Sequence, residues 1–153
     1  MYLGMSRTTP PFHIVTEASI AHLVDAFYAK ARHHRVLGPV FAQAIADQAW
    51  PAHLQKLYAF WSSVMLTSGR YKGNPVAVHE RVAGIEPALF GIWLDLFEQT
   101  AAETFPPDIA EAFAVKARRI AEGLKRALFF QPTDRWPEDL RMRNSLAGIA
   151  AIR

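Results

Sequence analysis

Apolar side chains recur every three or four residues along most of the chain, and this spacing restricts the fold more than any other feature. The segment that follows Thr16 presents one apolar helix face, formed by Ile20, Leu23, Val24 and Phe27. The ten prolines fall at the edges of such segments or in the two tails, and no run alternates apolar and polar residues over the length of a strand. The sequence therefore predicts an all-α protein, with Thr16 capping its first helix.

The same spacing predicts several further helices, separated by glycine and proline. They are expected around 40–45, from about 50 to 68, from 75 onward, around 89–100 and around 113–128. A chain of 153 residues has the length of one domain with one substantial core. We place this core at 15–130, with an N-terminal extension at 1–14 and a C-terminal extension at 131–153 that carries a short helix around 138–147.

The amino-acid composition and the motifs that the sequence lacks argue against several classes of function. The chain has no cysteine, which excludes disulfides, thiolate metal sites, covalent c-type haem attachment and cysteine nucleophiles. A Ser-His-Asp order, a glycine-rich phosphate loop, a His-Glu-x-x-His run and EF-hand spacing are all missing, so hydrolase, nucleotide and zinc functions lack support. The N-terminus has no signal-peptide pattern, and no long uninterrupted apolar run follows. We expect a cytoplasmic protein with no membrane contact.

The charge distribution leaves two interpretations open. Net charge is only +3, but the pI near 9.4 reflects basic residues concentrated late in the chain. This basic surface is either ordinary solvated helix or a docking face for a partner. Because no nucleic-acid-reading motif accompanies it, nucleic-acid binding is not expected.

A short helix around His79 is the most specific local feature. Asn74 can cap it, and Pro75 fits the first helical position. His79 then projects from a rigid helix with apolar flanks, with one ring nitrogen able to bond a backbone carbonyl one turn back. A neutral imidazole held in this way is a candidate for the single protein ligand of a haem iron. The alternative is a structural histidine, the commoner role for one such residue.

Several short motifs occur in a fixed order along the chain. They are Phe27-Tyr28, Leu37 to Phe41, His53 followed by Trp61, Tyr71 to Pro75, His79, and Ile92-Trp93-Leu94. Their order and spacing resemble those of the third group of truncated haemoglobins over about residues 15 to 130. This group is marked by lacking the double-glycine turns of other truncated haemoglobins, and the chain contains no Gly-Gly pair.

The resemblance implies a globin-like, two-over-two helical sandwich around one b-type haem, with His79 as the proximal iron ligand. On the distal side it implies Tyr28 and Trp93 as hydrogen-bond donors to a diatomic ligand, with His53 near the haem edge as a gate. The alternative for Tyr28 and Trp93 is a role as core aromatics whose polar tips bond the backbone. His53 lies early in its helix, so exposure is the alternative to a distal role.

Haem is flat, apolar over most of its area and acidic along one edge, so its pocket needs apolar walls and a few polar partners. The candidate wall residues are Phe41, Phe60, Trp61 and Val76. Leu57, one turn beyond His53, is expected to limit the space above the iron. The candidates for the propionates, among which the sequence does not choose, are Lys56, Arg70, Tyr71 and Lys72.

The leading functional prediction is binding of dioxygen or a related diatomic ligand, such as nitric oxide or carbon monoxide. A phenol or indole N–H aimed at partly charged oxygen slows its release, and the less polar carbon monoxide benefits less. Redox chemistry on the bound ligand, of the nitric oxide dioxygenase or peroxidase type, is then favoured over transport. Turnover would need an external reductase.

The alternative is a cofactor-free helical interaction module that uses the basic last helix and the C-terminal tail. Under either prediction the protein is expected to be a monomer or a weak homodimer.

Overall fold

The computed structural model describes residues 9–129, which contain helices and connecting loops without strands. The all-α prediction is confirmed. The helices are α1 at Glu17–His33, α2 at Leu37–Ala44, a 3-10 turn at Asp47–Ala49, α3 at Trp50–Leu66, α4 at Pro75–Glu80, α5 at Pro87–Thr104 and α6 at Pro107–Phe129. None of them combines the length and the apolar character that a membrane crossing requires. The predicted C-terminal extension and its short helix lie outside the described residues.

Two helix starts follow directly from local sequence. At α1 the Thr16 hydroxyl accepts the Ser19 N–H at 3.1 Å, and the Ser19 hydroxyl accepts the Thr16 N–H at 2.8 Å, which forms a reciprocal capping box. At α4 the side-chain oxygen Oδ1 of Asn74 accepts the Ala77 N–H at 3.1 Å, and Pro75 occupies the first helical position. The predicted caps at Thr16 and Asn74 are confirmed.

The helices pack around an aromatic core. Helix α1 contacts α2, α3 and α5, while α5 and α4 both contact α6. Phe97 of α5 is fully buried and lies between two indoles: Trp61 stacks on it at 4.8 Å and Trp93 at 5.1 Å, with interplanar angles of 15° and 8°. This stack fixes both tryptophan rings, because a flat face held on a buried neighbour has little freedom to turn.

Helix α2 starts unusually close to the end of α1. A Cβ atom on Gly38 would lie 2.7 Å from the carbonyl oxygen of Arg32, so only glycine permits this approach. His34 lies between the two helices, and its Nδ1 accepts the N–H groups of Val36 at 3.1 Å and Leu37 at 3.2 Å. These contacts fix α2 where it can form one wall of a cavity.

The loop between α3 and α4 is anchored by polar contacts. Ser62, fully buried on α3, donates to the Glu17 carboxylate, which also pairs with Arg70 of the loop. The hydroxyl of Ser63 accepts the N–H of Tyr71 at 2.9 Å. The loop therefore holds Tyr71 in a defined place, and the Arg70 side chain is committed to Glu17.

Phe12 packs on the globular core, although it belongs to the predicted N-terminal extension. Its N–H donates to the Thr104 carbonyl at 3.2 Å, and its ring lies 5.0 Å from the His22 ring and 6.4 Å from the Phe105 ring. Phe12 therefore covers the C-terminal end of α5.

Candidate functional site

A cavity of about 450 Å³ is bounded by residues of α1 to α6. Its walls are mainly apolar, and the volume lies in the range of small-molecule and cofactor sites. It brings together most of the residues that the sequence predicts for the site: Tyr28, Phe41, His53, Lys56, Leu57, Phe60, Trp61, Tyr71, His79 and Trp93.

The His79 side chain is half-buried and faces this cavity. Its Nδ1–H donates to the carbonyl oxygen of Pro75, one turn earlier on α4, at 2.6 Å. A carbonyl oxygen can only accept, so in the neutral ring Nδ1 carries the proton and Nε2 has the lone pair. The hydrogen bond thus fixes both the tautomer and the orientation of the ring, as expected for a metal-ligating histidine.

Tyr28 is 7% exposed and lies between the aromatic side chains of α2 and α3. Its ring centroid is 5.6 Å from Phe41 and 6.2 Å from His53, with near-perpendicular planes in both pairs. Burial raises the pKa of the Tyr28 hydroxyl well above its usual range, and a hydrogen bond with the Trp93 side chain only partly offsets this. The Tyr28 hydroxyl therefore remains a protonated, neutral donor at physiological pH.

Trp93 and His53 complete the polar groups on this side of the cavity. Besides stacking on Phe97, the Trp93 ring meets Phe27 edge-on at 5.4 Å, so its N–H has a fixed direction. Burial lowers the pKa of His53, and the positive charge of Lys56 lowers it further. His53 is therefore neutral at pH 7, with one nitrogen able to donate and the other able to accept.

Three predicted site residues do not line the cavity. Helix α4 turns Pro75, Val78 and His79 toward it, and this spacing leaves Val76 on another face, where it packs with the cluster around Phe90. Arg70 pairs with Glu17 instead. Lys72 is exposed on the same loop. A wall role for Val76 and a propionate role for Arg70 and Lys72 therefore stay predictions.

Arg81 lines the cavity just beyond the end of α4, although it is not among the predicted site residues. Neither Arg81 nor Lys56 forms an ion pair within the part of the chain that the structure describes. The close spacing of Arg81 to His79 is the only sequence signal that could have indicated it. Several apolar lining residues were also missed: Leu37, Val40, Val82, Ile85, Leu89, Phe90, Ile120 and Leu124.

Comparison with known proteins defines the class to which this fold belongs. A group 3 truncated hemoglobin, ctb, of Campylobacter jejuni is 32% identical over 120 residues, covering 77% of this chain and 94% of that protein. The crystal structure of the group III truncated hemoglobin from Campylobacter jejuni matches with a TM-score of 0.73 and the same coverage. No protein-family model matches the chain. The chain is a truncated haemoglobin. Within that class it belongs to group III.

The globin family implies a haem, and the residues of the cavity fit one. The apolar walls suit the porphyrin face, and the His79 Nε2 lone pair suits an iron ligand. Lys56 and Arg81 supply cations for an acidic edge, and Tyr28 supplies a buried donor on the other side of the cavity.

Proposed function

We propose that this protein binds haem b through His79 and uses it to bind dioxygen or a related diatomic ligand. The observation that carries the proposal is the hydrogen bond from His79 Nδ1 to Pro75, which leaves Nε2 as a preoriented ligand facing an apolar cavity. Bound haem supplies an iron that takes up diatomic ligands and exchanges electrons.

The rim of the cavity orients the cofactor. Lys56 of α3 and Arg81 after α4 are exposed lining residues without acidic partners in the described chain, and both attract carboxylates. Tyr71, fixed by its backbone bond to Ser63, adds a hydroxyl on the loop between α3 and α4. We assign the propionates to these three side chains, which places the apolar remainder of the porphyrin against the aromatic walls.

On the opposite side, Tyr28 and Trp93 donate hydrogen bonds to the diatomic ligand. Both rings are held by aromatic neighbours, so the two donors have fixed positions before the ligand arrives. Donors in an apolar cavity stabilise partly charged oxygen more strongly than they would in water. Slow oxygen release favours chemistry on the ligand, of the nitric oxide dioxygenase or peroxidase type, over delivery. The chain carries no flavin or nicotinamide motif, so turnover requires an external reductase.

Oxygen binding by the reduced haem complex tests this function. We expect reversible binding with release that is slow and independent of pH between about pH 8 and 10, because burial keeps the Tyr28 phenol protonated where an exposed tyrosine begins to ionise. Stopped-flow displacement of oxygen by carbon monoxide gives the rate. A reduced complex that does not take up oxygen contradicts the function. Release that accelerates with a midpoint below about pH 10 contradicts the raised pKa of Tyr28.

Removing all residues after Phe130 is expected to leave haem binding intact. Among the described residues, those that line the cavity all lie between Tyr28 and Leu124, so the shortened chain keeps all of them. Titration of the full chain and the shortened chain with haem, followed by absorption in the Soret region, compares their stoichiometries. A shortened chain that folds by circular dichroism but fails to bind haem would show that the site extends into the C-terminal extension.

A further inference from the structure

We infer that Trp50 is a positioning residue for the distal side of the cavity: it fixes the directions of Tyr28 and His53 without contacting the ligand. The inference rests on the proposed function, since it concerns how the same ligand site is held. Trp50 is 3% exposed and does not itself line the cavity. Its ring packs directly against side chains that line the cavity.

The Trp50 ring contacts three cavity-lining rings. Its centroid lies 5.3 Å from His53 at 89°, 5.7 Å from Tyr28 at 52° and 6.0 Å from Phe41 at 60°. Tyr28 in turn lies edge-on to both His53 and Phe41. One indole therefore supports Tyr28 and His53, and removing it leaves a gap behind both.

Helix spacing brings these side chains together. Trp50 and His53 are three residues apart on α3, while Tyr28 and Arg32 are four residues apart on α1, so each pair shares one helix face. The Arg32 guanidinium lies 4.4 Å from the centroid of the Trp50 ring, and it also pairs with Asp47 at 3.3 Å. Trp50 is thus held by a cation on its outer side and by the distal rings on its inner side.

The outer side of Trp50 lines a separate cleft of about 250 Å³, together with Arg32 and Asp47. Trp50 therefore stands between this cleft and the cavity. Shortening the Trp50 side chain connects this cleft with the space next to the Tyr28 ring, so the phenol can rotate. A hydrogen bond weakens steeply when its donor is misaligned. Misalignment of the Tyr28 hydroxyl is therefore enough to weaken its hydrogen bond to bound oxygen.

Trp50→Leu is expected to accelerate oxygen release from the haem complex about five-fold and to leave carbon monoxide release nearly unchanged. In a Tyr28→Phe background the same substitution is expected to add little, because the donor that Trp50 positions is already absent. Trp50→Phe keeps an aromatic ring in place and is expected to restore most of the slow release.

A matched control separates positioning from general loss of packing. Phe105 is buried and packs on Phe113 at 4.9 Å, away from the cavity lining. Phe105→Leu is expected to lower the melting temperature but to leave the ratio of oxygen to carbon monoxide release rates unchanged. Arg32→Ala, at an exposed side chain, provides a second test if Trp50→Leu does not fold. It removes the outer support and is expected to raise oxygen release about two-fold.

A crystal structure of the Trp50→Leu haem complex gives a readout independent of ligand kinetics. The centroids of Tyr28 and His53, 6.2 Å apart in the native chain, are expected to separate or reorient. Unmoved rings, equal acceleration of oxygen and carbon monoxide release, or unchanged oxygen release in Arg32→Ala would overturn the inference. If the fold-changes in oxygen release caused by Trp50→Leu and by Tyr28→Phe multiply in the double variant, the inference about Trp50 is overturned and the donor role of Tyr28 stands. Unchanged oxygen release in Tyr28→Phe would overturn the proposed donor role as well.

Discussion

His79→Ala is expected to abolish stoichiometric haem retention and to leave a partly helical apoprotein. The substitution removes the one imidazole that the structure presents from α4 with Nδ1 bonded and Nε2 free. The porphyrin keeps its apolar contacts, but the bond between iron and protein is lost, and with it the stabilisation that bound haem gives to the fold. Haem content per chain after gel filtration measures the effect, and circular dichroism reports the remaining helix.

His33 offers a matched control for this substitution. Its Nδ1 also bonds the carbonyl four residues earlier, Ala29, at 2.8 Å, but the side chain is exposed and does not line the cavity. His33→Ala is therefore expected to retain one haem per chain. In a His79→Gly variant, added imidazole is expected to restore binding. Full haem content and a native ferrous spectrum in His79→Ala would show that another group binds the iron.

Tyr28→Phe is expected to accelerate oxygen release about ten-fold or more, with a clearly smaller effect on carbon monoxide. The substitution keeps the ring, so packing against Phe41 and His53 barely changes while one hydroxyl is lost. A hydrogen bond to a partly charged ligand is worth on the order of 1.5–3 kcal/mol, and about 1.4 kcal/mol corresponds to a factor of ten in rate. Stopped-flow release rates for both gases measure the difference.

Tyr58→Phe is the control for loss of a tyrosine hydroxyl. Tyr58 lies on α3 and donates to the carboxylate of Asp25, outside the cavity, so gas release is expected to stay unchanged. Trp93→Phe should also accelerate oxygen release, although the combined effect with Tyr28→Phe need not be the product because both donors share one ligand. Small and equal changes for both gases in Tyr28→Phe would make Tyr28 a packing residue.

Features set by neighbouring residues were predictable from the sequence. The capping box of Thr16 and the cap of Asn74 involve partners three residues away, and the apolar stripe of α1 follows from helix periodicity alone. The resemblance to a known family was needed to predict that Tyr28, His53 and Trp93 lie around one cavity. These residues are distant in sequence and meet only through packing.

Features set by helix phase or by distant contacts were not predictable. Helix α4 has only six residues, so a sequence pattern does not settle whether Val76 or Val78 faces the cavity. Arg81 follows the end of this helix, where periodicity no longer applies. Arg70 is drawn away by Glu17, which lies 53 positions earlier in the chain. Trp50 stands at the start of the helix predicted from about residue 50, and its contacts with Tyr28 and His53 depend on the packing of α1 against α3.

The resonance Raman spectrum of the reduced, ligand-free haem complex tests most directly whether His79 binds the iron. Two histidines line the cavity, His53 and His79, and only His79 has its Nδ1 committed to a backbone carbonyl. We predict one iron–imidazole stretching band in the native chain that persists in His53→Ala and is lost, together with the bound haem, in His79→Ala. A band that persists in His79→Ala and disappears in His53→Ala would contradict the assignment. A purified, folded chain that takes up no haem would contradict the cavity as a haem site altogether and would favour a cofactor-free interaction module.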